Sequence, residues 1–291
     1  MSLELLKELR EKTGIGMLDC KKALTEANGD LEKAIEILRK KGMAVAAKRA
    51  DNATNCGSVA AFKSANSQNV CLVQISCETD FSANTSDMKH FATNVAQTVV
   101  ESATSVTEQS LPDMALKGSS LTVKAGLEGL IAKITESIKI QRFASCASTE
   151  NGVVNVYIHP DNSIGVIASV EAGKKLEGEA QEKLLTTTRD ICMHAAVTNP
   201  LAIDAMGIDP VLIAREKDII SEQLKESGKT AQIIEKIAEG RMAKYYEDVC
   251  LLNQKFIKND KITVGSHLEA VAKELGTTLK VTKLTRFAIG R

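Results

Sequence analysis

Apolar residues recur at helical spacing in three short runs through the first fifty positions. Leu5, Leu6 and Leu9 mark a first helix, and Cys20, Ala23, Leu24 and Ala27 a second. Asn28-Gly29 is a stop signal, and Asp30 is placed to cap a third helix with Leu31, Ala34, Ile35 and Leu38 as its buried stripe. Helices this short bury little surface, so they predict a small bundle that turns one face to something else. Between the first two, Ile15, Met17 and Leu18 stand among Gly14 and Gly16 and cannot all turn inward. They either close the small core or face a partner, and both readings are open from the residues alone.

Residues Lys40 to Asn52 read as an Ala/Lys-rich helix or linker, after which the apolar period changes to two. Strands are expected at about 57–63 and 69–77, the second burying Cys71, Val73, Ile75 and Cys77 on one face. A helix follows at about 85–102 through Met88, Phe91, Ala92, Val95 and Val99, then a loop around Ser110–Asp113 and a helix near 121–135. Three further strands are predicted at about 138–147, 153–159 and 163–171, with turn signals at Asn151-Gly152 and Pro160-Asp161-Asn162. In the middle strand Val154, Val156 and Ile158 share one face and Asn155, Tyr157 and His159 the other. After a helix at about 177–197, two charged helices between Asp209 and Tyr246, joined by Glu226–Lys229, form an antiparallel hairpin that projects from the body. Ile220 and Leu224 of one can meet Ile233, Ile234 and Ile237 of the other. A last helix at about 264–275 and a strand from Leu279 to Ile289 complete the pattern. Clustered strands with helices between them predict an α+β fold with antiparallel sheets rather than a doubly wound core.

Composition narrows the function. The 37 basic and 37 acidic residues of this 291-residue chain balance, so no global field draws it to nucleic acid. Aromatics make up 3% and Trp is absent, which argues against base-stacking platforms. The seven cysteines form no Cys-x-x-Cys pair and mostly fall in apolar patterns, as reduced core thiols do. Met1 leads straight into an amphipathic stretch, and no apolar run approaches the roughly 20 residues of a membrane span. A soluble, cytoplasmic protein is expected.

The most informative short segment is Glu78-Thr79-Asp80-Phe81-Ser82, which sets an acid and an aromatic together on a strand-to-helix connection. Phe81 as a staple with Asp80 as a helix cap is one reading; presentation of both to a partner is the other. No other motif carries chemistry. Ser227-Gly228-Lys229-Thr230 has the tail of a phosphate-binding loop, but Gln223 stands where its first glycine belongs, and the setting is a helix–helix turn. Gly14-Ile15-Gly16 lacks the third glycine and the preceding strand of a dinucleotide site. His90, His159, His194 and His267 have no metal-ligand spacing; His90 and His194 lie in helical patterns, and only His159 stands where a partner could reach it. Cys77 continues a buried face with nothing local to activate it as a nucleophile. No metal, cofactor or catalytic constellation is expected.

Taken together, these residues resemble the bacterial elongation factor Ts family, the guanine-nucleotide exchange factors of elongation factor Tu. The stretch Leu9–Leu24 (LREKTGIGMLDCKKAL) with Glu26–Asp30 (EANGD) is similar to the family's N-terminal signature, and Glu78–Phe81 (ETDF) to its central motif. Glu239–Tyr245 (EGRMAKY) and the terminal Arg286-Phe287 strand also match. The resemblance implies a ubiquitin-associated-like three-helix domain over residues 1–52, a core N-subdomain over 53–137, and a core C-subdomain over 138–205 and 248–291, the last stretch also holding a short C-terminal module. It implies that the hairpin, 206–247, is a coiled-coil or dimerisation module. It further implies no enzymatic chemistry: Arg10, Met17, Leu18, Lys21 and His159 would bind elongation factor Tu, and Thr79, Asp80, Phe81 and Ser82 would dislodge its Mg²⁺. Two departures stand out. Ser82 replaces an expected Val, and the chain ends at Gly290-Arg291 without the further C-terminal helix of some members, so contacts made by that helix would be absent or replaced. The rival reading is a binding module without exchange activity, contacting RNA or a translation or chaperone partner.

Overall fold

The computed structural model describes residues 3–49, 51–225 and 231–290. Helices α1 (Leu3–Thr13), α2 (Met17–Glu26) and α3 (Leu31–Lys48) form the N-terminal bundle around Leu6, Leu9, Cys20, Ala23, Leu24, Ala34 and Leu38. Asn28 and Gly29 both take left-handed backbone between α2 and α3, and the Asp30 carboxylate caps α3 by accepting from Lys33 N at 3.1 Å. Residues 40–48, open between helix and linker on sequence, continue α3. Ile35, expected in the buried stripe, is instead exposed. Toward its C-terminal end α3 leaves the bundle and packs on α6 (Val123–Ile134). Gly42 makes that crossing close, since a Cβ there would lie 2.6 Å from the Ala132 Cβ.

The first sheet holds β1 (Cys56–Lys63), β2 (Asn69–Cys77) and β3 (Ile138–Ala147), antiparallel in that order. Helix α5 (Ser86–Val100) and α6 cover one face through Cys71, Val73, Ile75, Cys77, Met88, Phe91 and Val95. The second sheet, β4 (Gly152–Ile158), β5 (Ile164–Ala172) and β8 (Leu279–Ala288), is covered by α7 (Glu179–Thr198) and α10 (Val264–Leu275). The uncovered faces meet through Val59, Val70, Leu72, Val154, Ile167 and Phe287. A Cβ on Gly165 would sit 2.6 Å from Val59 Cγ1, so that glycine lets the sheets approach.

This back-to-back packing explains one correction. Strand β2 is buried on both faces, where one buried face was expected. Strand β3 pairs with β2 and belongs to the first sheet. Helices α8 (Pro210–Lys225) and α9 (Ala231–Val249) form the inserted hairpin around Ile220, Leu224 and Met242, with Ile234 and Ile237 against them; Ile233 faces outward. The Glu226–Lys229 turn and the segment Ser227-Gly228-Lys229-Thr230 lie outside the described residues. A short ribbon, β6 (Lys255–Phe256) with β7 (Asn259–Thr263), was not anticipated. Among the described residues no helix is long and apolar enough to cross a membrane.

Candidate functional site

Strand β2 ends at Cys77, and a one-turn helix α4 (Asp80–Ala83) begins three residues later. Thr79, not Asp80, is its N-cap: Ser82 N donates to Thr79 Oγ1 at 3.3 Å. Asp80 accepts from the Phe81 amide at 3.0 Å and faces solvent. Phe81 is 85% exposed, an unusual position for an aromatic ring on a hydrogen-bonded turn. Ser82, grouped with the protruding residues on sequence, is only 6% exposed. As the third residue after the cap it turns back beneath the loop, where Thr79 Oγ1 lies 3.4 Å from its hydroxyl. The protruding pair is therefore Asp80 and Phe81, with Thr79 and Ser82 as the base.

Two carboxylates hold that base. Glu78 accepts from Arg49 through both oxygens at 3.0 Å, from Asn52 at 3.0 Å and from Ser137 N at 2.6 Å. Glu136 accepts from Thr79 N at 3.1 Å and from Thr79 Oγ1 at 2.7 Å. The Ser137 amide, above all, holds the Glu78 carboxyl below its ordinary value, against a smaller opposing effect of burial. For Glu136, burial alone would raise the pKa, but hydrogen bonds from Ser82 and Thr79 outweigh it and the net shift is downward. Glu78 opens the motif singled out in the sequence but carries no role there, and Glu136 does not stand out in the sequence at all. Their partners lie up to 59 residues away, and an isolated acid in a connection carries no local signal.

The second place is on α2. Met17 is 42% and Leu18 74% exposed, whereas Ile15 is buried, so the glycine-flanked trio divides between the two roles open to it. Lys21 shares the exposed side of α2, and a shallow depression runs past Leu18, Lys21, Lys22 and Thr25. Arg10 is exposed in the last turn of the neighbouring α1. The third place is the β4–β5 turn, where His159 Nδ1 lies 2.7 Å from Asp161 Oδ1. Hydrogen bonds from the Ser163 hydroxyl and amide, with His159, pull the Asp161 carboxyl down to about 2. Val59 N donates to Asn162 O at 2.8 Å and fastens this turn to β1. The three places stand on separate elements; α3, running from the bundle to Arg49, links the first two.

Burial pushes the Cys77 thiol up to about 12, which removes it as a nucleophile. His194 is fully buried: Ile257 N donates to its Nδ1 at 3.2 Å and its Nε2 meets Gln254 Oε1 at 3.0 Å. No group of His, Cys, Asp and Glu among the described residues could hold a metal. The fold is α+β, and from it a braced turn displays an aromatic ring and an acid.

A family model described as elongation factor Ts matches residues 78–291. Elongation factor Ts of Clostridium acetobutylicum is 38% identical over 290 residues, covering 100% of this chain and 92% of that protein. That of Clostridium novyi is 38% identical over 290 residues, with 100% and 93% covered. That of Clostridium perfringens strain SM101 is 41% identical over 286 residues, with 98% and 91% covered. The chain belongs to the elongation factor Ts family.

Proposed function

We propose that this protein is the guanine-nucleotide exchange factor of elongation factor Tu, and that Phe81 and Asp80 act as its wedge. Membership of the elongation factor Ts family supports the activity and the partner. The single observation that carries the mechanism is the exposed ring on a turn held by two carboxylates.

A GTPase holds its nucleotide through a phosphate-binding loop and through Mg²⁺, whose octahedral shell tolerates little distortion. A ring and a carboxylate inserted beside that site displace the elements that complete the shell. Burial of Phe81 in the partner would contribute roughly 2–3 kcal/mol toward offsetting the strain. Exchange is then negative coupling: the factor binds the empty partner more tightly than the loaded one, and nucleotide weakens the factor by the same ratio. GDP leaves, GTP rebinds and the factor dissociates. No covalent bond forms or breaks, so the protein is not an enzyme in the chemical sense.

Met17 and Leu18, flanked by Arg10 and Lys21, form a separate docking patch, and His159 a rim contact on the second sheet. The exposed Val211, Leu212, Ile219 and Ile233 support self-association through the hairpin. The zero net charge supports a protein partner over nucleic acid, and translation assigns the work to the cytoplasm. Release of fluorescent GDP from purified elongation factor Tu tests the activity. The expected result is a rate that rises with this protein to a plateau and depends only weakly on salt. An unchanged release rate would remove the exchange reading, and binding that falls steeply with salt would favour a nucleic-acid module.

A further inference from the structure

An exposed ring has few apolar contacts of its own to fix its direction, so whatever aims Phe81 must act through the backbone beneath it. That backbone is the connection from β2 to α4, and the connection from α6 to β3 lies against it. Thr135, at the end of α6, takes left-handed backbone at φ 61°, unusual for a β-branched residue, and the chain turns there directly before Glu136. Glu136 then accepts both the Thr79 amide and the Thr79 hydroxyl, at 3.1 and 2.7 Å. In the opposite direction Glu78 accepts the Ser137 amide at 2.6 Å. Each connection thus donates to the other's carboxylate, and the pair is a crossed clasp.

Thr79 is the hinge point of this arrangement. Its hydroxyl donates to Glu136 and accepts from Ser82 N, so the side chain that caps α4 is locked from both sides. Asp80 and Phe81 are the first two residues of that helix, and their directions follow from the cap.

We propose that Glu136 is a positioning residue for nucleotide exchange, fixing the direction of Phe81 through Thr79; this rests on the wedge reading above. Without the clasp the ring remains exposed and still meets the partner, but it arrives over a range of directions. Productive insertion becomes rarer while docking through α2 is untouched.

The test is a double-mutant cycle on GDP release from elongation factor Tu, read as maximal rate and half-saturating concentration. Glu136→Ala should lower the maximal rate about tenfold, as misplacement of a reacting group does, and leave half-saturation within about twofold. Glu136→Gln keeps one carbonyl acceptor for Thr79 and should recover part of the loss. In a Phe81→Ala background neither substitution should lower the rate further, because there is no ring left to aim. If Glu136→Ala does not fold, Thr79→Val removes the hydroxyl donor and should reproduce the loss, while Thr79→Ser restores it. A wild-type maximal rate for Glu136→Ala, or for Thr79→Val where Glu136→Ala does not fold, would overturn the proposal. So would a loss of equal size with and without the ring, which marks a purely structural residue. If Phe81→Ala alone exchanges at the wild-type rate, the wedge reading fails first, an outcome distinct from a slow Phe81→Ala beside unaffected Glu136 variants.

Discussion

The polar cluster under Phe81 and the one around His194 both tie distant segments together, with opposite results. In the first half of the core, Glu78 and Glu136 are ionised groups near the surface, and they steady a loop whose ring stays in solvent. In the second half the groups are neutral and buried. Ile257 N donates to His194 Nδ1, so the proton is on Nε2, which donates to Gln254 Oε1. Gln254 Nε2 in turn donates to Asp248 O at 2.8 Å near the end of α9, and Thr198 Oγ1 donates to Gln254 Oε1 at 2.8 Å. Carboxylates tolerate water and can brace something that must protrude. An imidazole and an amide that satisfy each other tolerate burial and can seal a junction, here the root of the hairpin.

Breaking the buried cluster should give the largest effect on stability. Gln254→Ala takes the partner from the His194 N–H and the Asp248 carbonyl, while the Thr198 hydroxyl keeps the His194 carbonyl at 3.0 Å, for a loss of about 3 kcal/mol in denaturant unfolding. The maximal exchange rate of the folded fraction should not change. A slow exchanger of undiminished stability would mean that the two clusters do not divide the roles in this way.

Acid separates them next. Burial holds His194 below its ordinary 6.5, so the unfolded chain takes up the proton first, and stability falls as pH drops below 6.5. His267, stacked at 4.4 Å on Phe256 and also shifted down by burial, acts in the same direction. Each such group can contribute up to about 1.4 kcal/mol per pH unit within its window. The Glu78 and Glu136 carboxyls are shifted down from 4.5, so what they contribute is intact above that value and is lost only below it. Between pH 7 and 5, hydrogen-exchange protection factors, taken relative to the intrinsic rate at each pH, should therefore fall around α7 and the end of α9 while the turn at Thr79 keeps its protection. Equal loosening of both would contradict the assignment of charge states.

Smaller effects concern docking alone. Met17→Ser with Leu18→Ser should raise the half-saturating concentration about tenfold, with stability changed by about 0.5 kcal/mol or less. Collapse of the bundle would show instead that the two side chains complete its core. His159→Ala should cost threefold or less in half-saturation, roughly what a rim contact is worth.

The elements themselves were legible because period and punctuation agree along most of the chain. Asn28-Gly29-Asp30 gives a stop and a cap, whereas Phe81 beside Asp80 on a connection allows either a staple or a protrusion, and the exposed ring decides for the second. What escaped the sequence is non-local. The alternation of Ile138–Ala147 suits either sheet, and only packing assigns it to β2. Ile35 fits a bundle stripe by spacing, but α3 turns its far half to α6 and leaves that side chain outside. Ser82 follows Phe81 directly, yet the helical turn set by Thr79 carries it inward. Glu136 is 57 residues from Thr79, so nothing in either neighbourhood points to the other.

The central claim is that a ring held out from a rigid base opens the nucleotide site of the partner. Its most direct test is the rate of GDP release from elongation factor Tu at saturating Phe81→Ala, beside the thermal midpoint of the free variant. The account predicts a plateau lowered by thirtyfold or more, on the order of the 2–3 kcal/mol of the ring's burial, with the midpoint unchanged. A wild-type plateau would contradict it.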